Sequence, residues 1–280
     1  MKIDKYVYDN IYILQFGCDD KNNQQKITQS AIEQKKFGRL EILFCDNSEL
    51  VYIGHLGSTL KVLSCEDSKI GQDSIDKMNK LKILCCSDNK NIFSVNNLAE
   101  TLLELDCSYD CGINQKGISK LVVLEDLDCT ANREINNVNH LSNTLGCLNC
   151  SGEDCGIDQN GISKLRVLKN INCEYNWKIN NLNHLADVLK VLQCNVRGIK
   201  QCAISELKCL EELRCTRSMI YDFSHLSTLK ILDVRDTYIN QKQINNLCDL
   251  EELNCAYSED KHIDISHMPK LKKFNNIKIR

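Results

Sequence analysis

The hydrophobic positions of the chain fall into one short pattern that recurs along most of its length. An apolar residue is followed by two variable residues, a second apolar residue, one variable residue and a cysteine. The pattern reads LEILFC at Leu40–Cys45, LKVLSC at Leu60–Cys65, LKILCC at Leu81–Cys86, LLELDC at Leu102–Cys107, LEDLDC at Leu124–Cys129 and LGCLNC at Leu145–Cys150. It continues as LKNINC at Leu168–Cys173, LKVLQC at Leu189–Cys194, LEELRC at Leu210–Cys215, LKILDV at Leu229–Val234, LEELNC at Leu250–Cys255 and LKKFNN at Leu271–Asn276. The twelve copies are separated by steps of 19 to 23 residues. A polar stretch and then an Ile follow most copies, as at Ile70, Ile92, Ile113, Ile135, Ile157 and Ile179. A fixed period near twenty residues marks stacked repeats. Strand side chains alternate, so the two apolar residues and the Cys face inward, and the residues flanking the second apolar residue face out. One repeat cannot bury its own apolar edge; its neighbours must do so.

The anchor, with Asn132 or an equivalent polar residue before the Ile, resembles the leucine-rich repeat LxxLxLxxNxL with Cys in place of the third Leu. The stretch Leu121–Leu141 resembles the short repeat class typified by phosphatase-regulatory subunits, and the resemblance covers about residues 40–276. The cysteines and the Asn- and Lys-rich composition with one Pro are similar to leucine-rich repeat proteins of protists and large DNA viruses. The resemblance implies an α/β fold: a curved horseshoe solenoid with one parallel sheet on its concave face and short helices or turns on its convex face. Residues 1–39 are expected to form an N-terminal cap, with Ile11–Phe16 as a degenerate first strand, and residues 40–280 a solenoid of about twelve repeats. The lysines from Lys270 to Lys278 make the last strand polar, which discourages pairing with another chain.

A second period lies on the first. Return segments alternate between INQKGISKL at Ile113–Leu121 or IDQNGISKL at Ile157–Leu165 and INNVNHL at Ile135–Leu141 or INNLNHL at Ile179–Leu185. Residues 110–150 and 154–194 match at an offset of 44, so a two-repeat block was duplicated.

Composition narrows the chemistry. The 280 residues carry 35 Lys and Arg against 38 Asp and Glu, a net charge of −3, which excludes a globally basic nucleic-acid binder. No uninterrupted apolar run approaches the roughly 18 residues of a membrane helix. No apolar leader follows Met1, so a cytoplasmic location is expected (host cytoplasm if the origin is viral). The 18 cysteines read as reduced thiols, most of them acting as small core hydrophobes. Cys147 and Cys150 form the one CxxC, but they point to opposite sides of a strand and cannot easily share a zinc ion. Cys85 and Cys147, on the open face, are expected to be the reactive thiols. His55, His140, His184, His225 and His267 share one repeat phase, too widely spaced to ligate one ion, and are expected to bond backbone groups of the convex turns. No phosphate-binding loop, nucleophile elbow or HExxH is present, and neither catalysis nor a cofactor is expected.

Recognition is expected on the concave face. Its first three repeats are apolar, from Ile42 to Cys85; the next two bring four carboxylates together, Glu104, Asp106, Asp126 and Asp128. Residues 100–160 hold eleven acidic and three basic residues. Asn149, Asn170, Asn172 and Arg214 follow on later strands, and Tyr109, Tyr175 and Tyr257 lie just past the strands as rim anchors. These residues fit a protein partner with a basic or mixed segment, and neither nucleic acid nor a membrane. Paired Asp residues also allow a Ca²⁺ site. The leading expectation is a non-catalytic protein-binding scaffold. The alternatives are a regulatory or targeting subunit of a phosphatase or ubiquitin ligase, and a structural component of a particle.

Overall fold

The computed structural model describes residues 12–15, 28–33, 37–195, 198–237, 239–256, 263–275 and 277–279. The chain divides into two compact units, Met1–Asn136 and Asn137–Arg280. In the first, strands β1 (Ile13–Gln15), β2 (Ile42–Phe44), β3 (Val62–Ser64), β4 (Ile83–Cys85), β5 (Glu104–Asp106) and β6 (Asp126–Asp128) pair in parallel, each with the next in chain order. In the second, β7 (Cys147–Asn149), β8 (Asn170–Asn172), β9 (Val191–Gln193), β10 (Glu212–Arg214), β11 (Ile231–Asp233), β12 (Glu252–Asn254) and β13 (Lys273–Phe274) do the same. A last strand, β14 (Ile277–Lys278), pairs antiparallel with β13. This is the solenoid architecture that the repeat pattern implies.

The register explains the pattern. The second apolar residue of each anchor sits at the centre of its strand, so Leu43, Leu63, Leu84, Leu105 and Leu127 align, as do Leu148, Ile171, Leu192, Leu213, Leu232 and Leu253. The inward triad is buried in both units, as at Leu40, Leu43 and Cys45 or Leu210, Leu213 and Cys215. Each buried Leu contributes about 2 kcal/mol. The cysteine does more than fill space. Its thiol donates to a backbone carbonyl of the following repeat: Cys45 to Ser64 O (3.2 Å), Cys86 to Asp106 O (3.3 Å) and Cys150 to Asn172 O (3.5 Å). Burial pushes the Cys45, Cys173 and Cys215 thiols up to about 12, so they stay protonated and able to donate. All cysteines among the described residues are free.

Past most of the strands the chain turns through a left-handed residue two positions after the Cys. Asn47, Asp67, Asp88, Tyr109 and Ala131 do this in the first unit, and Gly152, Tyr175 and Arg217 in the second. The N–H of this residue continues the ladder, as from Asp67 to Ser87 O and from Tyr109 to Thr130 O. Next comes a rung of buried Asn. Asn132 Nδ2 donates to Cys107 O (2.8 Å) and Ile113 O (3.1 Å), and Asn176 Nδ2 to Cys150 O (2.9 Å) and Ile157 O (3.0 Å).

The return segments are single helical turns, and their alternation has a cause. One type begins with Gln: Gln72–Ile75, Gln115–Ile118, Gln159–Ile162 and Gln241–Ile244. That Gln clamps the backbone of the next repeat: Gln159 Oε1 accepts from Asn180 N and Asn181 N while its Nε2 donates to Asn181 O. The other type carries the histidine. His184 Nε2 lies 3.1 Å from Ile162 O, His225 Nε2 3.1 Å from Ile204 O and His267 Nε2 3.2 Å from Ile244 O. Asn97 does the same work in the first unit, donating to Ile75 O and Met78 O. These three of the five phased histidines therefore bond backbone carbonyls, as their phase predicts. Desolvation holds His184 below the usual imidazole range.

Within residues 1–39, β1 lies parallel and in register on β2, and the helical turn α1 (Gln29–Glu33) buries Ile32. Ile11, Phe16 and the remainder of the expected cap other than residues 12–15, 28–33 and 37–39 lie outside the described residues. Among the described residues no helix is long and apolar enough to cross a membrane.

Candidate functional site

In the first unit Glu104 faces Asp126, and Asp106 faces Asp128, across adjacent strands about 4.8 Å apart. Glu104 and Asp126 are exposed; Asp106 and Asp128 are half-buried. The four predicted carboxylates are thus together, bordered on the β4 side by Ile83 and Cys85. Among the described residues neither Glu104 nor Asp106 has an ion pair.

The two members of each pair do different jobs. Asp106 Oδ1 accepts from Ser108 N (3.0 Å) and Ser108 Oγ (2.7 Å), and Asp128 Oδ1 accepts from Thr130 N (2.9 Å). Asn149, Asn172, Asp233 and Asn254 hold the same place and accept from the N–H two residues on. An Asx side chain at the last strand position therefore helps start the turn. Facing outward does not free these positions from the repeat: the side chains of Asp106, Asp128, Asn149 and Asn172 shape the turns that follow them.

The acidic field is wider than the sequence predicts. Burial raises Glu66 above the usual carboxylate range, with Asp46 and Asp106 adding to the effect. Burial likewise raises Asp106, opposed by its Ser108 bonds and reinforced by Asp128 and Asp88. Asp46, Glu66 and Asp88 belong to the turns past the strands, so counting strand positions missed them. The available signal was the acidic residue directly after the Cys in the first two repeats. Cys85 is also corrected. Burial, with Asp106 and Glu66 beside it, pushes its thiol up to about 12, which opposes nucleophilic reactivity.

Tyr109 stands just past β5, 55% exposed and at φ 56°. Tyr175 stands past β8, 60% exposed and at φ 61°. Tyr257 lies outside the described residues. The other predicted residues of the second unit share one sheet. Asn170 aligns with Cys147 and donates to its Sγ (3.2 Å), and Asn172 aligns with Gln193, which aligns with Arg214. Arg214 is paired with Glu212 of its own strand. Beside it Arg235 clamps the buried Asp233 through Nε and Nη2, both 2.9 Å, and Lys273 pairs with Glu252 (2.6 Å). Arg214, Asp233, Glu252, Asn254 and Lys273 line a shallow pocket on β10–β13. Among the described residues no group of three or more His, Cys, Asp or Glu is arranged to hold a metal ion, which removes the geometric support for a Ca²⁺ site.

No family model and no curated protein matches the chain. Solved leucine-rich repeat structures do resemble it. The internalin InlF of Listeria monocytogenes superposes with a TM-score of 0.61 at 18% identity over 91% of each chain. The functional domain of InlJ from the same organism, which includes a cysteine ladder, gives 0.61 at 21% identity, over 94% of this chain and 61% of that one. The Drosophila Toll–Spatzle complex gives 0.58 at 12% identity, over 89% of this chain and 40% of that one. At these identities the likeness is one of fold, and the fold is the leucine-rich repeat solenoid.

Proposed function

We propose that this leucine-rich repeat solenoid is a non-catalytic scaffold that binds a protein partner on its open sheet face, at β4–β6. The observation that carries the reading is the register of Glu104 with Asp126 and Asp106 with Asp128, with the exposed Tyr109 beside them. Like charges directly opposite each other on a sheet cost stability, and solubility does not require that placement. A basic or mixed-charge segment of a partner would relieve the repulsion. The apolar Ile42, Val62 and Ile83 on the neighbouring strands would extend the contact. Phosphate is excluded by the same charges, so nucleic acid is not the partner. Support from relatives is limited to fold and to the Toll–Spatzle complex, in which such a solenoid is seen with a protein. In this reading residues 1–39 cap the array, residues 40–280 form the binding module, and the protein works in the cytoplasm, where its thiols stay reduced.

Glu104 and Asp126 begin their strands and are the exposed members of the cluster, so they are the residues to reverse. Affinity capture with mass spectrometry is expected to recover a partner with the native protein and to lose it with Glu104→Lys/Asp126→Lys. Added salt should weaken the complex. A partner held equally by the native protein and the folded double variant would rule out this face.

A further inference from the structure

One contact in the core is not explained by the repeat. Cys86 Sγ and Cys111 Sγ lie 3.7 Å apart, both buried. Cys86 is the inward cysteine of the β4 repeat. Cys111 belongs to the turn after β5, four residues past Cys107, in the region where Asn89 and Asn132 supply polar rungs in the flanking repeats. Ladder thiols such as Cys45, Cys107, Cys150 and Cys173 point at a carbonyl of the next repeat; Cys86 does so too and in addition faces a second thiol. Cys111 is 6% exposed, whereas Cys86 is fully buried, so solvent reaches the pair from the Cys111 side.

The surroundings give the two sulfurs different characters. The two sulfurs share a thiol–sulfur contact that either can donate, and the Cys86 thiol also lies 3.3 Å from Asp106 O. The Cys86 contact first, and the nearby backbone of Ile113 and Gly112, lower Cys111 from the ordinary thiol range against the effect of burial. Cys86 is raised, by that same bond first and by burial second. An attacking thiolate beside a protonated thiol is the arrangement that peroxide-driven disulfide formation needs.

We propose that Cys86 and Cys111 form an oxidisable dithiol that a hydroperoxide closes to an intramolecular disulfide. The Cys111 thiolate attacks one peroxide oxygen and forms a sulfenic acid; the O–O bond breaks, and the departing oxygen leaves as water after taking up a proton. The Cys86 thiol then attacks the sulfenic sulfur, the S–S bond forms, and the sulfenic oxygen leaves as a second water. Two thiols lose two electrons and two hydrogens, and one hydrogen peroxide becomes two waters. The sulfurs must approach by about 1.7 Å to reach bonding distance. The turn that moves, 108–111, carries Tyr109, so oxidation restrains the segment next to the acidic strands. A reversible disulfide of this kind is compatible with a reducing compartment.

Peptide mapping of the full chain after limited hydrogen peroxide and alkylation tests the proposal. Trypsin separates Cys86 (fragment 83–90) from Cys111 (fragment 91–116). The expected product is these two fragments joined with loss of two hydrogens, with fragmentation assigning the bond to Cys86 and Cys111 and not to Cys85 or Cys107. Dithiothreitol should release it. Cys85→Ser should leave the yield unchanged, and Cys111→Ser should lower it by about tenfold or more. The unsubstituted protein alone decides the matter if Cys111→Ser fails to fold. Separately alkylated fragments, at a peroxide dose that already oxidises the exposed Cys202 and Cys248, would overturn the proposal, as would a joined product that persists in Cys111→Ser.

Discussion

The sheet faces of the two units are built on the same three-residue strands and handle charge in opposite ways. On β10–β13 of the second unit every prominent acid has a cation: Glu212 has Arg214, Asp233 has Arg235 and Glu252 has Lys273. On β5 of the first unit, Glu104 and Asp106 have none among the described residues, and burial, with nearby acids adding to it, raises Asp106 and Glu66. The interior is nearly identical in both: aligned Leu, donating Cys and a buried Asn rung. The difference teaches where selection for folding ends. The interior has one solution, repeated; the face has at least two, one with its acids paired to cations and one whose β5 acids have no ion pair among the described residues.

The largest expected effects fall on the shared interior, where the comparison should vanish. Asn132→Ala leaves Cys107 O and Ile113 O without their buried donor, and Asn176→Ala does the same to Cys150 O and Ile157 O. Each should cost about 2–4 kcal/mol, and the two costs should agree to within about 1 kcal/mol. Denaturant melts of the two variants check this. A large inequality would show that the interiors are not equivalent. Next in size is Arg235→Gln, which removes a two-bond clamp from the buried Asp233 carboxylate. A loss of about 1–2 kcal/mol is expected, and an unchanged melt would mean that the second unit's face is not self-satisfied.

Much of this was legible in the sequence because one constraint repeats. A wrong guess at any single anchor is corrected by the other eleven, so strand centres, inward triads, alternating returns and the histidine bonds could all be placed. What repeats less regularly was harder to read. Asp106 and Asp128 looked like free surface because their bond to the N–H two residues on is local and leaves no mark on the hydrophobic pattern. Glu66 and Asp88 were overlooked because a left-handed turn brings them back beside the strands, and no alternation rule includes that turn. Cys111 comes four residues after its anchor Cys, whereas Asn89 and Asn132 come three after theirs, so aligning the repeats hid its approach to Cys86.

A smaller effect distinguishes the faces by sign. Asp106 has a raised pKa in the folded state, so the folded protein binds its proton more tightly than the unfolded chain does. Between the unfolded value, about 3.9, and the raised one, stability falls as pH rises, and above both the full cost remains. Asp106→Asn keeps an oxygen to accept from Ser108 and removes the charge. It should raise the melting temperature by about 1–2 °C at pH 7, and the gain should disappear below about pH 3.9. A lower melting temperature at pH 7 would mean that the carboxylate stabilises the fold, contrary to the cluster's expected repulsion.

The smallest effect concerns the tyrosines. A left-handed conformation costs an ordinary side chain roughly 1–2 kcal/mol, and Asn adopts it more readily. The equivalent position is Asn47 in the β2 repeat and Asp67 in the β3 repeat. Tyr109 and Tyr175 therefore sit where a cheaper residue would serve, and both are mostly exposed, so burial returns little of the cost. Tyr109→Asn and Tyr175→Asn should each stabilise the protein by about 0.5 kcal/mol, read by paired denaturant melts. Only Tyr109→Asn should also weaken capture of the partner, because only Tyr109 adjoins the carboxylates of β5 and β6. If both variants stabilise and neither affects binding, the tyrosines are strained without a role in recognition. If Tyr109→Asn destabilises, its ring packs more than its exposure indicates, and the contrast between the two faces would then rest on the carboxylates alone.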